Sequence, residues 1–427
     1  MEPRDITQAG AEVSTEPLST HPASATAVDT RAPFASIDGV TPVAFHALPT
    51  PCYLLDEAQL QANAEILGAL AKRTGCRILL AQKAFSNYDL YPILAPHLAG
   101  TEASGLYEAR LGAEEMPGKE VHVFCAAYRE DEMAELIHYA DHIVFNSPAQ
   151  LLKFGPEAKA AGKSLGLRIN PEHSTQDGHA IYDPCAPGSR LGTTRAQWET
   201  AVAAHPELPQ LLDGLHFHTL CEQDADALSE TLDAVAEKFG DLMPRLKWLN
   251  FGGGHHITRP GYDIALLEQC IRRAQERWDV TVYLEPGEAC ALNAGYLLTH
   301  VLDVVKNGDT TIAILDASAA CHMPDVIEMP YRPPLLQAGD VGERACTVRL
   351  AGPTCLAGDV IGDYSFDTEL KIGDLLVFGD MAIYTTCKNN TFNGMPLPAI
   401  YTWKADGSTE EIVHFGYRDF KYRLGRM

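Results

Sequence analysis

Residues 77–85 read Arg77-Ile78-Leu79-Leu80-Ala81-Gln82-Lys83-Ala84-Phe85, a short apolar run that ends in a polar pair. A run of this length fits a strand buried on both faces, as parallel strands are. Seven more such runs follow, near 98–104, 121–126, 142–145, 165–170, 214–219, 247–251 and 281–285. Amphipathic stretches at 131–140, 225–239 and 263–277 lie between them. Eight β-α units in about 210 residues predict an α/β fold, a parallel (β/α)8 TIM-like barrel. A doubly wound open sheet is the alternative, but the Gly-x-Gly-x-x-Gly of dinucleotide folds is absent after the first strand.

The flanks read differently. Residues 50–55 look like a short strand, and Asp56 like the N-cap of a helix running through Leu60, Ala64, Leu67 and Leu70. Residues 1–45 are rich in Ala, Ser, Thr and Pro and show no sustained period, which predicts a largely disordered extension. Beyond 295, β-like runs at 296–304, 311–315, 345–351 and 375–378 are separated by Gly, Asp and Pro, which predicts a mainly antiparallel β domain. The expected organisation is thus an extension over 1–45, the barrel over 46–295 and the β domain over 296–427. The first strand is left free to join the β domain.

Composition excludes several classes. The 427 residues carry 33 basic and 57 acidic side chains, a net charge of −24. Neutralising nucleic-acid phosphates, or docking on an anionic membrane, needs the opposite balance. At 46% hydrophobic and 21% charged residues the chain has material for a large core. No apolar run reaches the roughly 18 residues of a membrane span. The 11 cysteines are odd in number and form no Cys-x-x-Cys pair, and no signal peptide is evident, so reduced thiols in a cytoplasm are expected.

Active sites of such barrels sit at the carboxyl ends of the strands, so polar residues there are the candidates. Lys83 leaves the first strand; a desolvated, neutral amine can condense with a carbonyl, although a surface lysine is the plainer reading. In Gly214-Leu215-His216-Phe217-His218 the two histidines share a side, and one ring could stack on a flat cofactor. A zinc pair and a satisfied core histidine are the alternatives, and no third metal ligand is obvious. Gly252, Gly253 and Gly254 let backbone approach a ligand and point amides at a phosphate; an ordinary turn is the alternative. Glu285, in Leu284-Glu285-Pro286-Gly287-Glu288, could hold a pyridinium nitrogen protonated, or simply cap its strand. Cys355 stands in a Gly-rich loop, and Tyr384 alone reads as a core tyrosine. Lysine, stacking ring, phosphate cradle and carboxylate together suit pyridoxal 5′-phosphate; no metal is implied.

The order Lys83, His216-Phe217-His218, Gly252-Gly253-Gly254, Glu285-Pro286-Gly287, Cys355, Tyr384 resembles the fold-type III pyridoxal-phosphate decarboxylases over roughly residues 50–427. That family includes the ornithine, arginine and diaminopimelate decarboxylases and shares its barrel with alanine racemase. Ser104-Gly105-Leu106-Tyr107-Glu108, Ser189-Arg190-Leu191-Gly192, Phe217-His218-Thr219-Leu220-Cys221-Glu222, Glu285-Pro286-Gly287-Glu288-Ala289, Cys355-Leu356-Ala357-Gly358-Asp359 and the tail Asp419-Phe420-Lys421 look like the branch acting on carboxynorspermidine and carboxyspermidine. Ornithine and diaminopimelate enzymes mostly carry Arg where Glu288 stands, and a Gly-Ser pair after the stacking histidine; this chain has neither.

The resemblance implies that Lys83 carries the cofactor. It implies that Glu285, as a carboxylate, keeps the ring nitrogen protonated, that His218 stacks on the ring, and that the three glycines with Tyr384 bind the phosphate. Cys355 would protonate Cα, reaching the site from a partner subunit, so a homodimer with shared active sites is implied. The substrate would be a small cationic carboxy-polyamine. Its ammonium groups need carboxylates, for which Glu288, Asp316, Asp325 and Asp359 are the candidates. Another decarboxylase of this fold (diaminopimelate, ornithine or arginine), or a cofactor-free regulator on the same scaffold, is the competing expectation. A regulator would have no need of Lys83 and Cys355.

Overall fold

A computed structural model describes residues 41–176 and 183–426. Strand β1 (Cys52–Asp56) leads into a helix over Glu57–Thr74. Asp56 caps this helix, its Oδ1 accepting from Gln59 N at 3.1 Å, and Leu60, Ala64, Leu67 and Leu70 form its buried stripe. Eight parallel strands then close into a barrel: β2 (Arg77–Ala81), β3 (Gly100–Ala103), β4 (Glu120–Phe124), β5 (His142–Phe145), β6 (Ser164–Arg168), β7 (Gly214–His216), β8 (Trp248–Asn250) and β9 (Thr281–Leu284). Closure is the β2–β9 pair, with Arg77 opposite Tyr283 and Ile78 opposite Leu284. All eight apolar runs of the sequence are these strands.

Two glycines show how tightly the barrel is filled. A Cβ on Gly214 would lie 2.0 Å from the Trp248 ring, and one on Gly166 would lie 2.3 Å from it. The indole takes the space that side chains on β6 and β7 would fill, as close packing of an interior demands.

The second layer is a sheet in the order β13-β12-β11-β10-β1-β15-β16, with β14 on the free part of β10. Its strands are β10 (Gly295–Asn307), β11 (Thr310–Leu315), β12 (Cys346–Ala351), β13 (Val360–Phe366), β14 (Leu375–Gly379), β15 (Ala399–Trp403) and β16 (Thr409–Val413). Pairing is antiparallel except for β1–β15 and β11–β12. Strand β1 lies in this sheet, with Tyr53 between Leu297 of β10 and Ile400 of β15. The whole barrel is therefore inserted between two neighbouring strands of the sheet.

Most of the extension expected to be disordered, residues 1–40, lies outside the described residues. Its last part is ordered: Val43–Ala47 is a 3-10 turn. Phe45 is fully buried there, 5.8 Å from the Tyr296 ring and 5.2 Å from Trp403 between centroids. One aromatic against two others outweighs the weak local propensity of the segment. Among the described residues no helix is long and apolar enough to cross a membrane. Truncating Phe45 to Ala should lower the free energy of unfolding by about 3 kcal/mol. An unchanged urea midpoint would show that this turn contributes nothing to the fold.

Candidate active site

The carboxyl ends of the barrel strands surround a cavity of about 220 Å³. Lys83 reaches it from the turn after β2, and Glu102, Arg168, His216, His218 and Glu285 line it from four other strands. The alternation expected along β7 holds, since both histidines face the cavity although the strand itself ends at His216.

Glu285 is only 4% exposed. His216 Nε2 lies 2.9 Å from one of its oxygens, and Asn250 Nδ2 donates to the other at 2.6 Å. Burial opposes ionisation of this carboxyl, but His216 and the nearby Lys83 outweigh it and hold Glu285 well below the ordinary carboxylate range. Burial keeps His216 itself low, so its Nε2–H donates from a neutral ring. Glu102, 3% exposed, is pushed far up by burial and by the Glu285 charge, and so stays protonated. The site thus holds one buried anion, not two.

His218 is also held neutral, by burial first and then by Lys83 and Arg168. Its Nδ1 accepts from Gly253 N at 3.0 Å, which fixes the ring plane. Arg168 anchors the same residue from behind, donating to its carbonyl at 3.1 Å while stacking 4.5 Å over Phe124. The glycines wedge between strand ends: Gly252 has φ +70, and a Cβ there would come 2.4 Å from Phe217 O. Two of the three amides have local partners, Gly252 N on Asn250 Oδ1 and Gly253 N on His218.

Tyr384 belongs to the sheet domain, yet its amide donates to Ala84 O at 2.8 Å, directly beside Lys83. It has φ +55, an uncommon conformation for a bulky residue and one that marks a held loop. Cys355 behaves otherwise. It is exposed between β12 and β13, its amide bonded to Asn393 Oδ1 at 2.8 Å, and it is not among the residues lining the Lys83 cavity.

The four carboxylates expected to take ammonium groups separate into two kinds. Asp316 is engaged by Thr50 Oγ1, Thr299 Oγ1 and His300 N at 2.6, 2.5 and 3.0 Å, ties that join β10, β11 and the entry to β1. Asp359, 3% exposed, accepts from Ser318, Ala320 N and Thr354 and braces the Cys355 loop. These two are structural within the chain, because neighbouring hydroxyls and amides use their oxygens. Asp325 faces the mouth but holds Lys388, which also reaches Glu328 at 2.5 Å. Glu288 remains, half-buried, 3.2 Å from His256 Nδ1. Glu102, Arg168, Glu222, His256 and Asp380 were not singled out as site residues from the sequence. Only Glu222 lies within a motif quoted for the family.

The comparisons with known proteins agree with this geometry. The family model described as "Pyridoxal-dependent decarboxylase, C-terminal sheet domain" matches residues 37–382. The chain belongs to the pyridoxal-dependent decarboxylases. It is 41% identical to the carboxynorspermidine/carboxyspermidine decarboxylase of Campylobacter jejuni, over 89% of this chain and 99% of that one. It is 42% identical to the carboxyaminopropylagmatine decarboxylase of Synechocystis, over 89% and 96%. The solved structure of carboxynorspermidine decarboxylase from Campylobacter jejuni, complexed with norspermidine, superposes with a TM-score of 0.80 at 40% identity, covering 88% of this chain and all of that one.

The donor set fits the cofactor of this decarboxylase family. An amine, a neutral ring fixed in plane, an ionised carboxylate and a wedge of glycines converge on one cavity. Replacing Glu285 with Gln should leave the purified protein yellow and cut turnover roughly hundredfold. Full turnover in that variant would show that Glu285 does not set the charge of the cofactor ring.

Proposed function

We propose that this pyridoxal-phosphate carboxy-lyase removes the α-carboxylate of carboxynorspermidine or carboxyspermidine, giving norspermidine or spermidine in cytoplasmic polyamine biosynthesis. The carrying observation is the 41% identity to a decarboxylase of those two substrates across 99% of its length. The site supports it, because the mouth presents Glu288, which faces His256 Nδ1 at 3.2 Å, to a cationic tail.

Bound pyridoxal phosphate supplies an electron sink for the pair released when the Cα–carboxylate bond breaks. Lys83, which lines the cavity, would carry the cofactor. Glu285, kept ionised by His216 and Asn250, would hold a proton on the ring nitrogen and deepen the sink. His218, its ring fixed by Gly253 N, would cover the ring and keep water from it. Gly254 and Tyr384 would seat the phosphate. Cys355 delivers the proton to Cα, and its exposed loop does so from the partner subunit of a homodimer.

A second reading has its own support. The 42% identity to a carboxyaminopropylagmatine decarboxylase favours a substrate whose tail ends in a guanidinium. Carbon dioxide release from carboxynorspermidine, carboxyspermidine, carboxyaminopropylagmatine, meso-diaminopimelate, ornithine and arginine tests both. Turnover of the first two is expected, and turnover of diaminopimelate or ornithine alone would remove the reading. Lys83→Ala should be colourless and inactive. Cys355→Ala should mainly slow or misdirect protonation at Cα, and mixing the two variants should restore correct amine formation up to about a quarter of the wild-type rate, because a mixed dimer has one intact shared site. No recovery on subunit exchange would place Cys355 outside the shared chemistry.

A further inference from the structure

Three strand ends that deliver the cofactor residues deliver a second group a few residues later. His218 is followed by Glu222, Gly254 by His256, and Glu285 by Glu288. The first two loops are zipped together: Gln223 N donates to Gly254 O at 3.0 Å, and His256 N to Gln223 O at 3.2 Å. One oxygen from each glutamate and one ring nitrogen of His256 lie within 4.8 Å of one another. His256 is only 8% exposed, and its Nδ1 points at Glu288 from 3.2 Å yet makes no hydrogen bond.

We propose that Glu222, His256 and Glu288 form the seat of a terminal ammonium group of the substrate, and that this seat discriminates against a guanidinium. The inference rests on the decarboxylase reading above and narrows its substrate class. An ammonium donates in three tetrahedral directions, so acceptors about 2.8 Å from its nitrogen stand about 4.6 Å apart. Three groups converging from separate strand ends lie within about that span of one another, with His256 and Glu288 closer, at 3.2 Å, so an entering ammonium has to part this pair. A guanidinium is a flat fork that wants two oxygens side by side in its plane, which three separate side chains do not supply.

The charges around the seat set its pH dependence. Glu222 stands at the open mouth, but loss of solvation and the Glu288 charge push its carboxyl up to about 7. Asp380, which also accepts from Asn293 N, is pushed up to about 7 by burial and by Glu288. Burial works against charging His256, and Glu288 with Glu222 outweighs it. The other charges facing these groups are engaged, Arg259 by Asp224 and Asp325 by Lys388. Tyr331, Tyr384 and Cys221 stay uncharged, raised mainly by burial. Near neutrality Glu222 and Asp380 therefore stand midway between their charged and neutral forms, and the two glutamates favour the charged form of His256. An arriving ammonium favours loss of a proton from this group, so binding releases a proton and tightens as pH rises through 7.

Calorimetry on the pyridoxal-phosphate-loaded enzyme tests this, with norspermidine and its mono-guanidino derivative, at about pH 6 and about pH 8, in buffers of different ionisation enthalpy. Norspermidine should bind about tenfold tighter than the derivative, and about tenfold tighter at the higher pH, with proton release. Glu222→Gln and Glu288→Gln should each weaken norspermidine about tenfold and shrink both the preference and the proton release. Equal affinity for the two ligands, or a Glu222→Gln protein that keeps preference and proton release, overturns the proposal. So does His256→Gln losing pyridoxal phosphate while keeping the preference, since that places His256 at the phosphate. Turnover of carboxynorspermidine is measured alongside. Normal turnover without discrimination removes the ammonium seat alone, and discrimination without turnover removes the assigned reaction alone.

Discussion

A carboxylate kept charged in the protein interior is the constraint on which this site depends. Removing an ion from water costs several kcal/mol even after relaxation, unless donors are already in place. Glu285 has two, and both come from barrel register. His216 of β7 sits opposite Asn250 of β8, and Asn250 opposite Tyr283 of β9, two residues before Glu285. Closure of the barrel therefore brings the imidazole and the amide to the two oxygens of one carboxylate. The same proximity forces Glu102 to keep its proton, since two buried carboxylates so close cannot both ionise. The charge pattern of the cavity is in this sense a property of the strand pairing.

Register explains economy of design at the mouth as well. In the proposed assignment each of three neighbouring strand ends presents one residue to the cofactor and a later one to the tail of the substrate. The two functions cannot move independently, because the Gln223–His255 bridge ties two of these loops together. The loops hold unusual backbone to do this: Glu222 has φ +53 and Gly254 φ +83. Glycine takes such a φ freely, but at Glu222 it is uncommon, and strain of this kind persists where surrounding structure over-determines it.

The legible part of the sequence was whatever is encoded locally. Eight barrel strands read as apolar runs because parallel strands are buried on both faces. Strand ends marked Lys83, His218, the glycines and Glu285 because barrel sites lie there. Strands such as Val360–Phe366 and Thr409–Val413 escaped, for they carry Gly, Asp or Glu and lie at the two edges of the sheet. Phe45 escaped because its partners are hundreds of residues away. The acidic residues show the limit most clearly. Asp316, Asp325 and Asp359 are of the right type, but Thr50, Lys388 and Ser318 had already claimed them through contacts that no spacing reveals. Glu222 and His256 gain their meaning only when the loops after β7 and β8 are seen side by side.

Topology ties the two domains to the same chemistry. The pairing of β1 with β10 spans the whole intervening barrel, since Tyr53 of one pairs with Leu297 of the other. Such a pairing closes a very long loop, so it carries a large entropic cost and favours late formation. Once made, it is braced within the sheet domain by Tyr53 Oη donating to His322 O at 2.5 Å, and beside it the first helix is tied to the segment between β9 and β10 by Asn63 Nδ2 donating to Leu292 O at 2.9 Å. Tyr384 can then hydrogen-bond beside Lys83, and the loop bearing Asp380 can face Glu288 and Glu222. A barrel folded without its sheet would have the lysine, the carboxylate and the stacking ring. It would lack Tyr384 and Asp380, so the site is complete only when both domains are in place.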